Sequence, residues 1–536
     1  MTGRMINMKS LLMMGVCLCA ALAGAHEDST ARWRAATETL TDGATLVLPK
    51  GEYHVGETGA RKLWLDPSNN KSGEKCVVFP LVGRSNVTID GDGSKLVVHG
   101  TAFPFAAIGC TNVTIRNLSV TTRYPSCAGF TVLEKSPAAF TVQFDQGVCP
   151  YTVADDGIDF QLDGHVISTR AGRLSLHSLD RLLIHYLMTP KSPGDKSHFP
   201  APFVGAIPED LGGGKVCFRY SGDTHPKSVK LPYNVGEKVV VNLEEQRYRD
   251  VFFFEDCVGV KLENVSIDRF GGMGVVAQRS GDFTIERLRA LPPEGERVSL
   301  TADILQFINC HGDIRIENCE GGFSLDDILN VHGNYLFVEQ AGGRTLRLRV
   351  KHPSHEGFFP YRPGDVVEFV AAHTRDVLGS ARVVGVARDH QDRFACTLTV
   401  DADVPSVVKT GSLVENSTLN PNVTIRGCRF RDYPNLRLSG RGRYLVEGNR
   451  FENGCSTVVG MDLADYWYES GRIADMTIRD NDIVNCGGCS FGLSGWRGNE
   501  PNLPKIHGRV LLENNRFVNP RGAKWSPAAV RDFIAR

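Results

Sequence analysis

A short phrase recurs along the chain and decides the fold. It reads Asn86-Val-Thr-Ile89, Asn112-Val-Thr-Ile115 and Asn422-Val-Thr-Ile425, with close variants such as Phe283-Thr-Ile-Glu286 and Ile314-Arg-Ile-Glu-Asn318. Most copies alternate apolar and polar residues, which is the period of a strand with one buried face. Equivalent positions recur 26 residues apart (Ile89 to Ile115) and 23 apart (Leu262 to Ile285). Such spacings of short strands indicate a solenoid, and we expect an all-β, right-handed parallel β-helix.

Composition excludes several classes of partner. The 536 residues carry a formal net charge of −1 at neutral pH. A nucleic-acid binder needs a basic surface, so no nucleic-acid partner is expected. No apolar run reaches the roughly 18–20 residues of a membrane-spanning helix, so no membrane span is expected either. No cofactor is predicted, and the oligomeric state stays open.

The domain organisation follows from where the phrase is present and where it is missing. Two stretches, 135–247 and 335–418, lack it but share a segment, Pro232-Tyr-Asn-Val-Gly-Glu and Pro360-Tyr-Arg-Pro-Gly-Asp. The shared segment favours two related small antiparallel β-barrels inserted between coils, and two unrelated long loops are the alternative. The coils then occupy 26–134 (with an N-terminal cap), 248–334 and 419–536.

The first 25 residues have the pattern of a secretory signal peptide. Basic Arg4 and Lys9 precede an apolar run, and Ala23-Gly-Ala25 has the small residues of a cleavage site. This pattern predicts a secreted or periplasmic protein.

Three carboxylates in apolar surroundings are the candidate catalytic groups. Asp303 precedes Asp326 by 23 residues, close to one coil, and Asp327 follows directly. Neighbouring coils should therefore present all three to one cleft. Close carboxylates raise each other's pKa, and burial adds to this, so one can stay protonated as an acid while another is ionised as a base. Glycoside hydrolysis needs such a pair.

Other interpretations of the acidic trio stay open. Aspartate clusters on a β-helix can hold calcium in a lyase, and an Asp pair can cap turns between strands. The same residues therefore also fit a calcium-dependent lyase or a structural turn.

Five further residues are candidates for binding a sugar. Trp467 could stack on the apolar face of a galactose ring, and Glu469 could bind its hydroxyl groups. Asn330 could do the same, although Asn in a β-helix commonly fills an internal ladder. His332 could orient or tune the aspartates, and Gln278 lies one coil before them. Alternatively, His332 could be a hydrogen-bonded histidine in a turn, and Trp467 could be a core residue.

The motifs around these residues resemble glycoside hydrolase family 110. The resemblance rests on Asp303, on Asp326-Asp327-Ile-Leu-Asn-Val-His-Gly333, on Gly272-Met-Gly274 with Gln278, and on Trp467-Tyr-Glu-Ser-Gly471. It covers most of the chain beyond residue 25. It implies a secreted bacterial exo-α-1,3-galactosidase that inverts configuration without a metal, with Asp303 as general acid and Asp326 and Asp327 as the base pair. The implied partner is a glycan ending in α-1,3-galactose, such as a blood group B structure.

Two other classes remain as alternatives to that activity. A polygalacturonase-type β-helix hydrolase also pairs a lone Asp with a later Asp-Asp and His-Gly, but its uronate substrates need a cationic clamp. No Arg-x-Lys phrase closely follows Gly333. A non-catalytic glycan-binding β-helix protein would keep the aromatic platform without needing the acidic trio.

Overall fold

The computed structural model describes residues 28–171, 173–179, 183–188, 206–220, 233–244, 247–432, 435–498 and 500–536. The predicted signal peptide, residues 1–25, lies outside them. A helix, Thr30–Glu38, opens the described chain, and Trp33 packs from it into the core of the first coil. Short 3-10 turns occur at Thr169–Ala171 and Pro353–His355. Within these ranges no helix is long and apolar enough to cross a membrane.

Three parallel ladders of strands form the body of the molecule, so the predicted parallel β-helix is confirmed. The first ladder comprises Thr45–Val47, the first parts of Ser85–Val98, Thr111–Thr122 and Val258–Arg269, then Gly281–Glu286, His311–Glu317, Asn422–Arg426, Arg443–Glu447, Asp475–Arg479, His507–Glu513 and Val530–Ala535. The second comprises Glu52–Val55, the later parts of the same three long strands, then Arg289–Ala290, Glu320–Gly322, Arg429–Arg431, Arg450–Glu452, Asp482–Val484 and Arg516–Val518.

The third ladder carries the candidate site. Its strands are Gly73–Val82, Phe103–Ile108, Asp250–Glu255, Met273–Gln278, Leu305–Ile308, the first part of Leu329–Gly342, Leu436–Leu438, Val458–Asp462, Cys489–Leu493 and Trp525–Ser526. A hairpin partner, Arg61–Leu65, pairs antiparallel with Gly73–Val82. The short strand Glu469–Ser470 pairs antiparallel with the strand that begins at Leu329.

The recurring phrase explains how one coil stacks on the next. Val87 and Ile89 point into the core with no exposed surface, while Asn86 turns the chain with a φ of 58°. Asn tolerates this left-handed conformation better than most residues because its short amide can bond locally. The Asn112 amide then donates to Asn86 Oδ1 on the coil below at 2.9 Å. The phrase therefore supplies the buried face, the turn and the contact between coils.

Two antiparallel units leave the coils in the regions where the phrase is missing. The first has a seven-stranded sheet of Cys127–Lys135, Ala139–Phe144, Arg173–Ser178, Leu183–Met188, Ala206–Gly212, Lys215–Tyr220 and Lys238–Asn242, and a three-stranded sheet of Tyr151–Ala154, Gly157–Leu162 and His165–Ser168. Among the described strands the seven-stranded sheet has two open edges. The second unit pairs the later part of Leu329–Gly342 with Thr345–Arg349, Val366–Val370, Val377–Arg388, Ala395–Val400 and Leu413–Asn416. The assignment of both units as inserted barrel domains stays a prediction.

Candidate active site

The register of the third ladder sets the position of the aspartates. Leu305 pairs with Leu329, an offset of 24 residues, and the Ile304 amide donates to the main-chain oxygen of Asp327 at 3.1 Å. Extending this register backwards places Asp303 beside Asp327. The 23-residue spacing in the sequence had pointed to Asp326 instead. The difference arises because the coil between the two strands is one residue longer than that spacing.

The three carboxylates do meet at one place. One carboxylate oxygen from each of Asp303, Asp326 and Asp327 lies within 4.8 Å of the others. Asp303 and Asp327 are only 2% and 3% exposed, whereas the side chain of Asp326 is 41% exposed. The trio therefore has two buried members and one member that faces solvent.

Asp303 has the environment of a carboxylic acid that keeps its proton. Burial raises the pKa of Asp303 well above its usual value, and the negative charges of Asp326 and Asp327 raise it further. The positive charge of Arg247 only partly opposes this rise. Among the described residues, none donates a hydrogen bond to the Asp303 carboxyl group. A protonated Asp303 can donate its proton to a group that enters the pocket.

Asp327 has the environment of an oriented base. Burial raises the pKa of Asp327 to about 6, while the charge of Arg437 acts to lower it. Arg437 Nε donates to one carboxylate oxygen at 3.0 Å, and the Asn435 amide donates to the other. Hydrogen bonds to the ionised form stabilise it, so Asp327 is available as a base near neutral pH.

Asp326 is held at the mouth of the pocket by its own partners. Arg247 donates to its Oδ2 at 2.6 Å, and the Asp327 amide donates to its Oδ1 at 3.1 Å. Each of the two neighbouring aspartates thus has its own arginine, Arg247 at Asp326 and Arg437 at Asp327. Within the part of the chain that the structure describes, Asp303 is therefore the member of the trio without a cationic partner in direct contact.

The rest of the pocket wall comes from the strand that follows Asp327 and from other coils, and it comprises Asn69, Asn330, Leu463, Trp467 and Glu469. Asn330 and Glu469 are 4% and 3% exposed, and each has a side-chain oxygen without a hydrogen-bond partner in the described chain. Trp467 is half-buried, and its ring lies 4.2 Å from that of His352, centroid to centroid. The structure therefore brings three of the five predicted sugar-binding residues to the aspartates.

The other two predicted sugar-binding residues stand behind the pocket wall. His332 donates through Nδ1 to the Gly333 carbonyl at 2.9 Å, and its Nε2 lies 3.7 Å from Glu469 Oε1. His332 therefore contacts Glu469 rather than the aspartates. Gln278 is fully buried and bonded to Ser68 and Glu255. Its Nε2 also donates to the Asp66 carbonyl at 3.1 Å, so Gln278 supports the loop 66–72.

Four residues around the trio were missed from the sequence: Asn69, Arg247, Asn435 and Arg437. One signal existed for Arg437. It occupies the middle of Leu436-Arg-Leu438, and it pairs with Asn330 in the middle of Leu329-Asn-Val331. An arginine between two buried leucines of a strand must point away from the core, so the pattern indicated an outward position for Arg437. We find no comparable signal for Asn69 or Arg247.

The two arginines also bear on the choice of substrate class. The sequence showed no cationic clamp near His332, whereas the structure brings Arg247 and Arg437 into the pocket. Each is already paired with an aspartate, at 2.6 Å and 3.0 Å. Asp303, Asp326, Asp327 and Glu469 outnumber them, so the pocket has no surplus positive charge to hold an anionic sugar.

The trio also has the spacing of a candidate cation site. Three carboxylate oxygens within 4.8 Å of one another could ligate a metal ion. Calcium, however, prefers about six to eight oxygen ligands, and here Arg247 and Arg437 already occupy oxygens of two of the three carboxylates. The donor set therefore suits proton transfer better than calcium binding.

The pocket is small, and a larger groove is lined by residues that directly precede Asp326 in the chain. The pocket encloses about 60 Å³, less than the roughly 300–1,000 Å³ usual for small-molecule sites. The groove, of about 1020 Å³, lies between the first antiparallel unit and the coils and is lined by Ser324 and Leu325. Ser324 Oγ donates to the Asp326 main-chain oxygen at 2.8 Å. The groove and the pocket are therefore lined by consecutive residues of the chain, Leu325 and Asp326.

Two α-1,3-galactosidases are similar in sequence to this chain over most of its length. The chain is 26% identical over 467 residues to alpha-1,3-galactosidase B of Bacteroides thetaiotaomicron, covering 82% of this chain and 70% of the relative. It is 29% identical over 498 residues to alpha-1,3-galactosidase A of Streptomyces avermitilis, covering 88% and 78%. The resemblance to α-1,3-galactosidases is confirmed.

Family models and solved structures were compared with the chain as well. No protein-family model matches the chain. Among solved structures, the family 28 exopolygalacturonase of Yersinia enterocolitica aligns with a TM-score of 0.33 and 10% identity, over 96% of this chain and 69% of that one. A likeness at that score carries no argument about function.

Proposed function

We propose that this protein is a secreted or periplasmic, exo-acting glycoside hydrolase that removes terminal α-1,3-linked galactose from glycans without a metal cofactor. One observation carries the proposal: a buried acid, Asp303, stands beside a base, Asp327, that Arg437 and Asn435 orient. The similarity to α-1,3-galactosidases over more than four-fifths of the chain supports the substrate class. Blood group B glycans are the first candidate substrates, and linear α-1,3-galactose the second.

The reaction uses the three carboxylates in two roles. Protonated Asp303 gives its proton to the glycosidic oxygen as the bond to the anomeric carbon breaks, and the bonding electrons stay with the leaving alcohol. Asp327, with Asp326 beside it, removes a proton from a water molecule, whose oxygen attacks the anomeric carbon. Asp303 ends ionised and Asp327 protonated, and exchange with solvent restores both.

Inversion is the expected stereochemical course, on the strength of the resemblance. Inverting enzymes usually separate their carboxyl groups by about 6.5–9.5 Å and retaining ones by about 5–5.5 Å. The closest oxygens of the trio lie within 4.8 Å, so the separation by itself does not favour inversion. The anomer that forms first decides between the two courses.

The shape and charge of the site fit a neutral terminal sugar. The pocket is small and open to solvent at Asp326, which suits the end of a glycan rather than the middle of one. Both pocket arginines are paired with aspartates, so the carboxylate of a uronic acid would find no free cation among the described residues. Trp467 offers an aromatic face for the galactose ring.

The deciding experiment follows galactose release by proton NMR. The full chain is incubated with blood group B trisaccharide and, separately, with unbranched α-1,3-galactobiose, and early spectra are recorded. We expect β-galactose as first product. Early α-galactose would contradict inversion, and no release from either substrate would contradict the proposed activity. Asp327→Asn separates an enzyme from a glycan-binding protein, because it should abolish release while leaving glycan binding measurable.

A further inference from the structure

The loop 66–72, at the tip of the hairpin between Arg61–Leu65 and Gly73–Val82, reaches the pocket from a coil far from the aspartates. Neighbours pin both sides of it. The Ser68 amide donates to Gln278 Oε1 at 3.0 Å, and the Asn70 amide group donates to both carboxylate oxygens of Asp250, at 3.0 Å and 2.9 Å. Lys71 and Ser72 donate to the main-chain oxygens of Arg247 and Glu356. The loop is therefore held in place before any ligand binds.

Asn69 and Asn70 of this anchored loop both have a buried side-chain oxygen without a described partner, and Asn69 is the one of the two that lines the pocket. It is 5% exposed and lines the pocket, yet its Oδ1 is buried without a hydrogen-bond partner among the described residues. Its backbone also has a φ of 65°, in the left-handed region. A buried amide oxygen without a donor costs free energy, and so does this conformation in a residue other than glycine. The fold maintains both costs at a single side chain that faces the aspartates.

The pocket contains two other oxygens in the same condition. Asn330 Oδ1 and Glu469 Oε2 are also buried, also without a described donor, and also in the pocket wall. They come from two further segments of the chain, so three independent segments converge with free acceptors. Sugar hydroxyl groups are the donors that match such a set.

We propose that Asn69 is a specificity-determining residue that hydrogen-bonds one hydroxyl group of the terminal sugar, with Gln278 and Asp250 as the residues that position its loop. This inference rests on the proposed galactosidase function, because it takes the ligand to be the galactose ring. It also assigns a new role to Gln278, which holds the loop through Ser68 and does not touch the sugar.

The test pairs a change in the enzyme with a change in the substrate. Asn69→Gly removes the amide and suits the positive φ, so it adds no backbone strain. Values of kcat/KM are measured for 4-nitrophenyl α-galactoside and its 2-, 3-, 4- and 6-deoxy analogues. We expect the variant to lose about tenfold on the parent compound, the order of one hydrogen bond. On one deoxy analogue the variant and the native chain should then be equal, because that analogue lacks the hydroxyl group that Asn69 binds.

A matched control removes a similar asparagine elsewhere. Asn264 has a φ of 53° and lies exposed on the coil surface, with its amide bonded to Asn117. Asn264→Gly should leave every kcat/KM value unchanged. Equal losses for Asn69→Gly on all five substrates, or no loss on the parent, would overturn the proposal. The thermal midpoint of both variants is measured as well, and a midpoint equal to that of the native chain excludes unfolding as the cause of a loss of activity.

A binding measurement keeps this inference separable from the proposed function. Calorimetry with free galactose should show about tenfold weaker binding to Asn69→Gly and native binding to Asn264→Gly. If the native chain binds galactose but releases none from any α-galactoside, the proposed function fails and Asn69 stands on the binding result. If the native chain hydrolyses the substrates and Asn69→Gly keeps both activity and binding, the proposed role of Asn69 is overturned and the proposed galactosidase function is supported. Absence of both binding and hydrolysis overturns both.

Discussion

Asparagines in two regions of the coils are buried equally but bonded differently. In the turn between the first and second ladders, Asn449 and Asn481 are stacked, and each amide bonds both the next side chain and a main-chain carbonyl. In the pocket, Asn69 and Asn330 carry oxygens that no described residue bonds. Burial alone therefore does not distinguish the structural asparagines from the functional ones. Among the described residues, Asn309 and Asn334 also have buried side-chain oxygens without a partner, and they lie outside the pocket. A missing partner therefore marks a candidate for sugar binding only where the residue also lines the pocket.

The largest expected loss of activity comes from replacing a carboxylate of the pocket that contains Asn69 and Asn330. Asp303→Asn should lower kcat/KM on a natural α-1,3-linked disaccharide by about 100- to 10,000-fold, the usual contribution of a general acid. The loss should be smaller on an aryl galactoside, whose leaving group needs less protonation. Equal losses on both substrates, measured by steady-state kinetics, would remove Asp303 from the acid role.

The same replacement should not cost stability. Burial and two like charges raise the pKa of Asp303, so its ionised form is unfavourable in the folded protein. The unfolded chain ionises Asp303 at pH 7, so the raised pKa costs folding free energy at that pH, and an amide of the same shape avoids this cost. We expect the thermal midpoint of Asp303→Asn at pH 7 to equal or exceed that of the native chain. A fall of several degrees would mean that Asp303 has a structural role instead.

The pH profile sharpens the distinction between acid and base. Asp303 acts in its protonated form, so kcat/KM should fall as pH rises through its raised pKa. Asp327 acts in its ionised form, so kcat/KM should fall as pH drops below about 6. Because Arg437 lowers the pKa of Asp327, Arg437→Met should move the acidic limb to higher pH and reduce the maximum. The control is Arg426→Met on the surface ion pair with Glu447, which should leave the profile unchanged.

A pair of matched substitutions tests the comparison directly. Asn449→Ala removes hydrogen bonds to Ile425 and Asn481 and leaves buried partners unpaired. It should lower the free energy of unfolding by about 1–3 kcal/mol in chemical denaturation, with kcat/KM retained. Asn330→Ala should show the opposite, a loss of about tenfold in kcat/KM with nearly native stability. If both variants lose stability alike, the absence of a partner does not mark function.

The smallest expected effect is that of removing metal ions. Two of the three carboxylates are already paired with arginines, so exhaustive treatment with EDTA should leave kcat unchanged. Turnover that EDTA abolishes and added calcium restores would make the trio a metal site and contradict the proton-transfer roles.

Local sequence pattern was enough to predict the coils but not the whole pocket. Val87 and Ile89 alternate with polar residues in a way that only a half-buried strand explains, so the fold could be inferred from the chain. Asp303, Asp326 and Asp327 could be grouped because they lie within one coil of one another. The pattern around Arg437 indicated an outward position but not its contact with Asp327, because Arg437 lies 110 residues later in the chain. Asn69 reaches the pocket from a hairpin whose length no repeat encodes.

Asp327 and its partner Arg437 also become available at different times during synthesis. The chain between them builds the second antiparallel unit, and they are 110 residues apart. At about 5–20 residues per second, a ribosome needs roughly 5–20 s to make that stretch. During this interval the chain already contains Asp303 and Asp327, but the guanidinium that will stabilise Asp327 does not yet exist. We therefore expect the nascent coil to be held together at first by its apolar ladders alone, with its acidic pair completed late.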